Sequence, residues 1–226
     1  AVKIKEKARE LAARELEADP NDLVLDTATG SWHVQGVPGT KLDWARLAEL
    51  AGEEGLTADV HFKPSRPTFP FGAHLAVVEV DTETGQVRLL RHISLDDAGP
   101  LINPIIAEGQ RHGGIAQGVA QALYEEMAYD AEGNPITANL ADYPMISAAE
   151  LPSFELLTME TPTDVNPLGV KGIGEAGTIG ATPAVQNAVV DALSHLGVRH
   201  IEMPATPERV WKAINEARGS EKRAAQ

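Results

Sequence analysis

Glu175 is the one acid within Gly172-Ile-Gly-Glu175-Ala-Gly177-Thr-Ile-Gly180, a stretch crowded with glycine and preceded by Gly169. Glycine admits backbone angles and approach distances closed to other residues, at a cost in conformational entropy. A loop this rich in it reads as a ligand surface rather than a plain connection. No cation stands nearer in sequence than Lys171, so the carboxylate suits a desolvated setting, which raises a carboxyl pKa and fits it to moving protons. A second pattern lies upstream. At about 100° per residue, Gln110, Gly114, Gln117 and Gln121 fall on one helical stripe, opposite Ile115, Val119 and Leu123. Amides offer both donors and acceptors, as a heterocycle with mixed edges requires, and the glycine would let something approach the helix backbone. The plainer reading is the solvated side of an amphipathic helix, although no Lys or Glu lies between Arg111 and Glu125. Asp96-Asp97 could act as an acid and base pair or bind ligand hydroxyls, and they fit a strand-end turn equally well.

Other chemistries have less support. Gly172-x-Gly174-x-x-Gly177 matches the dinucleotide fingerprint in form, but that motif follows directly from a strand. Here Pro162 and Pro167 precede it, and Glu175 would set a negative charge where a pyrophosphate must bind. The histidines at 33, 61, 74, 92, 112, 195 and 200 contain no pair at the spacing of a helical zinc site. Each reads as a surface or core histidine. There is no Gly-x-Ser-x-Gly elbow for a serine hydrolase.

The elements that must position these groups can be read from periodicity and turn signals. Ile4, Ala8, Leu11 and Ala12 share a helical face that should stop before Asp19-Pro20. Leu23–Leu25 and Trp32–Val34 suggest a hairpin across Thr29-Gly30. A second helix through Leu42, Ala45, Leu47 and Leu50 would be capped by Thr40, and the proline-rich stretch from Lys63 to Gly72 reads as an irregular linker or site-edge loop. His74–Val80 and Gln86–Leu95 should pair across Asp81-Thr-Glu-Thr-Gly85. A helix is expected over Pro104–Leu123, strands at Tyr124–Tyr129 and Phe154–Met159, and a helix after the glycine loop. A short strand near His200–Met203 and a last helix around Glu208–Ile214 complete the chain. Hairpins and long helices that do not alternate regularly argue for an α+β fold rather than a doubly wound sheet.

The 226 residues carry a formal net charge of -14, which argues against nucleic acid and anionic membrane surfaces as partners. With no cysteine, the chain alone can form no disulfide, thiolate metal site, iron–sulfur ligation or cysteine nucleophile. No apolar run reaches membrane-spanning length, and the opening residues read as an amphipathic helix rather than a signal peptide. The absence of an initiator methionine suggests a chain processed or cut from something longer.

Several ordered motifs then carry a family likeness: Thr68-Phe-Pro-Phe-Gly72-Ala-His74, Asp96-Asp-Ala-Gly99-Pro-Leu-Ile-Asn103-Pro104, Glu108-Gly-Gln110-Arg-His-Gly-Gly-Ile-Ala-Gln117-Gly118, and Asn166-Pro-Leu-Gly-Val-Lys-Gly-Ile-Gly-Glu175-Ala-Gly-Thr-Ile. Through them the chain resembles the C-terminal part of the molybdopterin-binding large subunit of the xanthine dehydrogenase family, most of all the aerobic carbon monoxide dehydrogenase type. The resemblance covers nearly the whole chain and is strongest from Phe69 to Trp211. It implies an α+β fold with a helix and hairpin lead-in over residues 1–62, a cofactor-binding part over 63–218 and a polar tail over 219–226.

For the site, the resemblance implies that Glu175 is the catalytic base beside molybdenum and that Gln110 contacts the pterin. It further implies that Asp96, Asp97, Asn103, Lys171, Gly172 and Gly174 touch the pterin or its nucleotide extension, which would be the cytosine dinucleotide form. The implied activity is oxidation of CO, an aldehyde or an N-heterocycle with water as oxygen source. It would take place in a cytoplasmic complex with the rest of the large subunit and with iron–sulfur and flavin subunits carrying 2Fe-2S and FAD, as a dimer of heterotrimers. The isolated chain is expected to be inactive, since the loop facing the substrate belongs to the earlier half. A non-catalytic pterin-binding or assembly module is the alternative.

Overall fold

The computed structural model describes residues 1–224. The chain divides into two compact units, Ala1–Lys63 and Pro64–Gln226. In the first, helix α1 (Val2–Glu15) precedes an antiparallel meander of β1 (Leu23–Asp26), β2 (Ser31–Val34) and β3 (Val37–Asp43), followed by α2 (Trp44–Leu50). Ala8, Ala12, Leu23, Trp32, Leu42 and Leu47 form its core. The expected cap at Thr40 is not used: Thr40 and Leu42 lie in β3, and Asp43 caps α2 by accepting the Arg46 N–H at 2.8 Å.

The second unit carries the candidate site. Strands β4 (Phe71–Val80) and β5 (Val87–Asp97) pair antiparallel, and β6 (Phe154–Met159) joins β5 in parallel, giving a mixed sheet in the order β4-β5-β6. The β4–β5 turn forms as the sequence predicts: Asp81 Oδ1 accepts the Glu83 N–H at 2.8 Å, and Gly85 takes φ +79°. Helices α3 (Pro104–Leu123) and α4 (Ala176–Ala192) pack on the sheet's inner face. Ile115, Val119, Val185 and Val189 are fully buried there, together with Val210 and Ile214 of α5 (Pro207–Ala224). Alternation makes this possible: Ala76, Val78 and Val80 of β4 face the helices together with Val87 and Leu89 of β5, and past the register shift at Val77/Val78 the inward set of β5 continues with His92, Ser94 and Asp96.

Two expected strands are corrected. Tyr124–Tyr129 forms no strand and makes only an isolated bridge between Tyr129 and Pro135. His200–Met203 is not a strand either; it packs Ile201 into the core and gives its carbonyl to Gln186. In the stretch expected as a polar tail from Gly219, α5 continues as far as Ala224, and residues 225–226 lie outside the described residues. The α+β class holds.

Candidate cofactor site

The loop between β6 and α4 must be tied down before it can present anything, and Asp97 does this from the end of β5. Its buried carboxylate accepts N–H groups of Gly99 at 2.9 Å and Thr161 at 3.0 Å and pairs with Lys171 Nζ at 3.0 Å. Burial alone would raise this carboxyl, but the bonds from Thr161, Gly99 and Lys171 outweigh it and hold it far below the usual carboxylate range. Lys171 also lies 4.2 Å above the Phe71 ring, and its N–H donates to the Ala98 carbonyl at 2.7 Å. Upstream, Asn166 folds the loop on itself by accepting N–H groups of Leu168 and Val170. Gly169, at φ +70°, makes that turn.

The far side of the loop is fixed by helix contact. A Cβ at Gly177 would lie 2.7 Å from the Arg111 carbonyl oxygen and 2.9 Å from the Ile115 nitrogen, and one at Gly118 would lie 2.8 Å from Ala181 Cβ. Thr178 and Thr182 hydroxyls donate to the carbonyls of Gly114 and Gly118 at 2.9 and 3.1 Å. This corrects the expectation for Gly114. What approaches the α3 backbone there is α4, and Gly114 is buried beneath it, while Gln110, Gln117 and Gln121 remain exposed. Small residues let two helix backbones come close enough for hydroxyl-to-carbonyl bonds.

Behind this contact lies a buried network that sequence reasoning did not assemble. Asp96 Oδ2 accepts Arg111 Nε at 2.7 Å and the Ser94 hydroxyl at 2.8 Å, and its Oδ1 lies 3.1 Å from His74 Nε2. His74 Nδ1 lies 3.2 Å from His92 Nε2. Burial opposes ionisation of Asp96, yet the hydrogen bonds from His74, Ser94 and Arg111 prevail and hold it at about 2. The His74 ring thus bridges Asp96 on one side and His92 on the other. His92 Nδ1 is buried with no hydrogen-bond partner among the described residues. Burial, reinforced by His74 and opposed by Asp96, pushes His92 down to about 4. The His74 ring lies against α4 at Gly180, where a Cβ would sit 2.6 Å from the ring atoms. The readable signal was positional: His74, His92, Ser94 and Asp96 all fall on the inner face of a hairpin whose register the turn sets.

The sequence-derived site residues thus separate into three settings. Gly172, Gly174 and Glu175 form an exposed arch next to the exposed Gln110, whose Oε1 is the nearest atom to a Cβ built at Gly174, 3.8 Å away. Nothing lies within 4 Å of a Cβ at Gly172. Asn103, which caps α3 by accepting the Ile106 N–H at 3.2 Å, and Lys171 line a largely apolar cavity of about 260 Å³ with Ala98, Pro100, Ile106 and Ile173. Asp96 and Asp97 are 2% and 1% exposed; their carboxylates are occupied by internal partners. Glu175 is itself exposed, which corrects the expectation of a desolvated carboxylate. This chain does not bury it, so any desolvation has to come from atoms outside the chain. An open glycine arch beside an amide that both donates and accepts fits the mixed edge of a pterin.

Residues 1–152 match the molybdopterin cofactor-binding domain family. The chain belongs to that family. Its likeness to the large subunits of the xanthine dehydrogenase and carbon monoxide dehydrogenase family extends well beyond that match. It is 40% identical over 228 residues to the carbon monoxide dehydrogenase large chain of Hydrogenophaga pseudoflava, covering 96% of this chain and 28% of that protein. It is also 40% identical over 223 residues to the nicotine 6-hydroxylase large subunit of Paenarthrobacter nicotinovorans, covering 94% and 27%. A solved Cu,Mo-CO dehydrogenase in its carbon monoxide reduced state superposes with a TM-score of 0.84 at 36% identity, over 95% of this chain and 28% of that one. This molybdopterin-binding domain therefore spans little more than a quarter of the length of the relatives it matches. No helix among the described residues is long and apolar enough to cross a membrane.

Proposed function

We propose that this chain is the molybdenum-cofactor-binding portion of a molybdenum hydroxylase large subunit, with Glu175 as the base. The carrying observation is the exposed Gly172–Glu175 arch beside Gln110, braced by Asp97–Lys171 on one side and by the α3–α4 contact on the other. The molybdenum–pterin group, when bound, supplies the redox chemistry, and the protein supplies orientation and proton transfer. Gln110 and the open backbone at Gly172 and Gly174 hold the pterin. Asn103 and Lys171, with the cavity they line, accommodate its cytosine dinucleotide extension. Asp96 and Asp97 act by positioning. The Glu175 carboxylate takes the proton from the water that supplies oxygen to CO, an aldehyde or an N-heterocycle.

The reading includes a cytoplasmic assembly. The rest of the large subunit completes the cradle and chooses the substrate, and iron–sulfur and flavin subunits with 2Fe-2S and FAD take the electrons in a dimer of heterotrimers. The isolated chain is inactive in this account. The deciding test is Glu175→Gln in the assembled enzyme. Turnover is expected to fall by about 10²–10⁴, the usual worth of a positioned base, with molybdenum content by elemental analysis unchanged. Unchanged turnover would remove Glu175 as base and favour a non-catalytic pterin-binding or assembly module, which tolerates this change but not changes at Gln110.

A further inference from the structure

The second face of the β4-β5-β6 sheet is apolar and uncovered. Its register aligns Leu75 with Ile93 and Leu95 with Leu157, and extends to Val77 and Met159. Leu75 and Leu157, on the two edge strands, are 53% and 55% exposed. A sheet face that meets water normally carries polar residues; here the outward set is apolar at the centre, at Leu75, Ile93, Leu95 and Leu157. The charges stand at the margin, where Arg91 pairs with Glu155 at 2.8 and 3.0 Å and Arg88 with Glu79 at 3.0 Å. An apolar centre within a polar rim is the anatomy of a protein interface. At its other end this face runs into the candidate site, for Phe71, 58% exposed, carries Lys171 over its ring, and Asp97 closes the same row.

We propose that this outer face is the docking surface for the remaining part of the large subunit, which presents an uncharged aliphatic surface to Leu75, Ile93, Leu95 and Leu157. Two facts select that occupant. The chain spans only 28% of the length of its carbon monoxide dehydrogenase relative, leaving a much longer partner to be accommodated. The face also ends at Phe71 and Lys171, so a segment lying along it arrives at the open arch around Glu175 and supplies the cover that this chain lacks. The inference rests on the proposed function, yet the two can fail separately: Glu175→Gln tests the base and leaves this surface intact.

The test is to co-express the 226-residue chain with the remainder of the large subunit as a separate polypeptide, together with the iron–sulfur and flavin subunits. Leu75→Lys and Leu157→Lys should each reduce recovery of the remainder with the tagged chain at least ten-fold, whereas Val2→Lys, at another exposed aliphatic, should not. Thermal melts of the chain alone should match wild type. Hydrogen exchange gives a reading that needs no variant, since backbone amides of β4 and β6 should exchange more slowly in the complex than in the free chain. Full recovery of folded Leu75→Lys and Leu157→Lys variants would overturn the proposal, as would unchanged exchange in the wild-type complex. Light scattering that finds the free chain dimeric, and monomeric on Leu75→Lys, would assign the face to a second copy and overturn it equally.

Discussion

Asp96 and Asp97 are neighbours on β5 and point to opposite faces of the sheet, each taking one buried cation: Arg111 at 2.7 Å on the inner face and Lys171 at 3.0 Å on the outer. One pair ties α3 to the sheet and the other ties down the glycine loop. The arch that carries Glu175 hangs between them. A strand's alternation lets two adjacent acids serve both ends of a loop.

Asp97→Asn leaves the Lys171 ammonium buried beside a neutral amide. Removing one partner of a buried pair costs about 3–5 kcal/mol, and chemical denaturation should show a loss at the lower end of that range, since the amide still accepts from backbone N–H groups. In the assembled enzyme the variant should also retain less molybdenum, because the arch loses its anchor.

Acid should destabilise the second unit in two stages. His92 is depressed from 6.5 to about 4, so between those values the unfolded chain binds the proton that the folded chain refuses, and stability falls as pH drops. A shift of this size is worth roughly 3 kcal/mol. Asp96, lowered from 3.8 to about 2, contributes stability that is present above pH 4 and lost as pH falls toward 2. His92→Leu should flatten the upper stage while leaving the lower. Tm measured from pH 7 to 3 reads both.

Two glycines of the α3–α4 region should respond with opposite sign to alanine. At Gly177 the new methyl meets backbone atoms of Arg111 and Ile115 that cannot yield. Overpacking costs of about 1–3 kcal/mol then outweigh a helix-propensity gain of up to about 1 kcal/mol. Gly113 is exposed on α3 with nothing within 4 Å of a Cβ, so Gly113→Ala should stabilise by about 0.5–1 kcal/mol. Urea melts of both variants check the sign.

Arg111→Lys should behave as a disruptive change. The guanidinium donates through Nε to Asp96, through Nη1 to Thr158 and through Nη2 to Ser94 and the Leu157 carbonyl. A single ammonium cannot span that fork. A loss of about 2–3 kcal/mol is expected, in line with hydrogen bonds to charged groups, with larger near-ultraviolet than far-ultraviolet changes in circular dichroism.

Local signals settled where local physics decides. The bounds of α3 follow from Asn103-Pro104 at one end and the run of periodic apolar residues to Leu123 at the other. The β4–β5 hairpin follows from its turn, and β6 from a short apolar run. Strand β3 escaped because Val37-Pro-Gly-Thr-Lys41 carries no strong propensity and is held in place by its partner β2. The amide stripe was legible as a stripe, and Gln110 does stand beside Gly174. Arg111, one position along, gave no local sign of being buried.

From the sequence alone come the glycine-flanked acid, the exposed amides and the family motifs, because each depends on residue type and near spacing. Tertiary structure alone decided what the glycines do. Gly172 and Gly174 leave an open arch, whereas Gly114, Gly118 and Gly177 admit a neighbouring helix, since a missing Cβ has no meaning until something lies where it would be. It also decided that Asp96 and Asp97 are spent on Arg111 and Lys171 and that Glu175 is exposed, because burial is a property of what packs around a side chain.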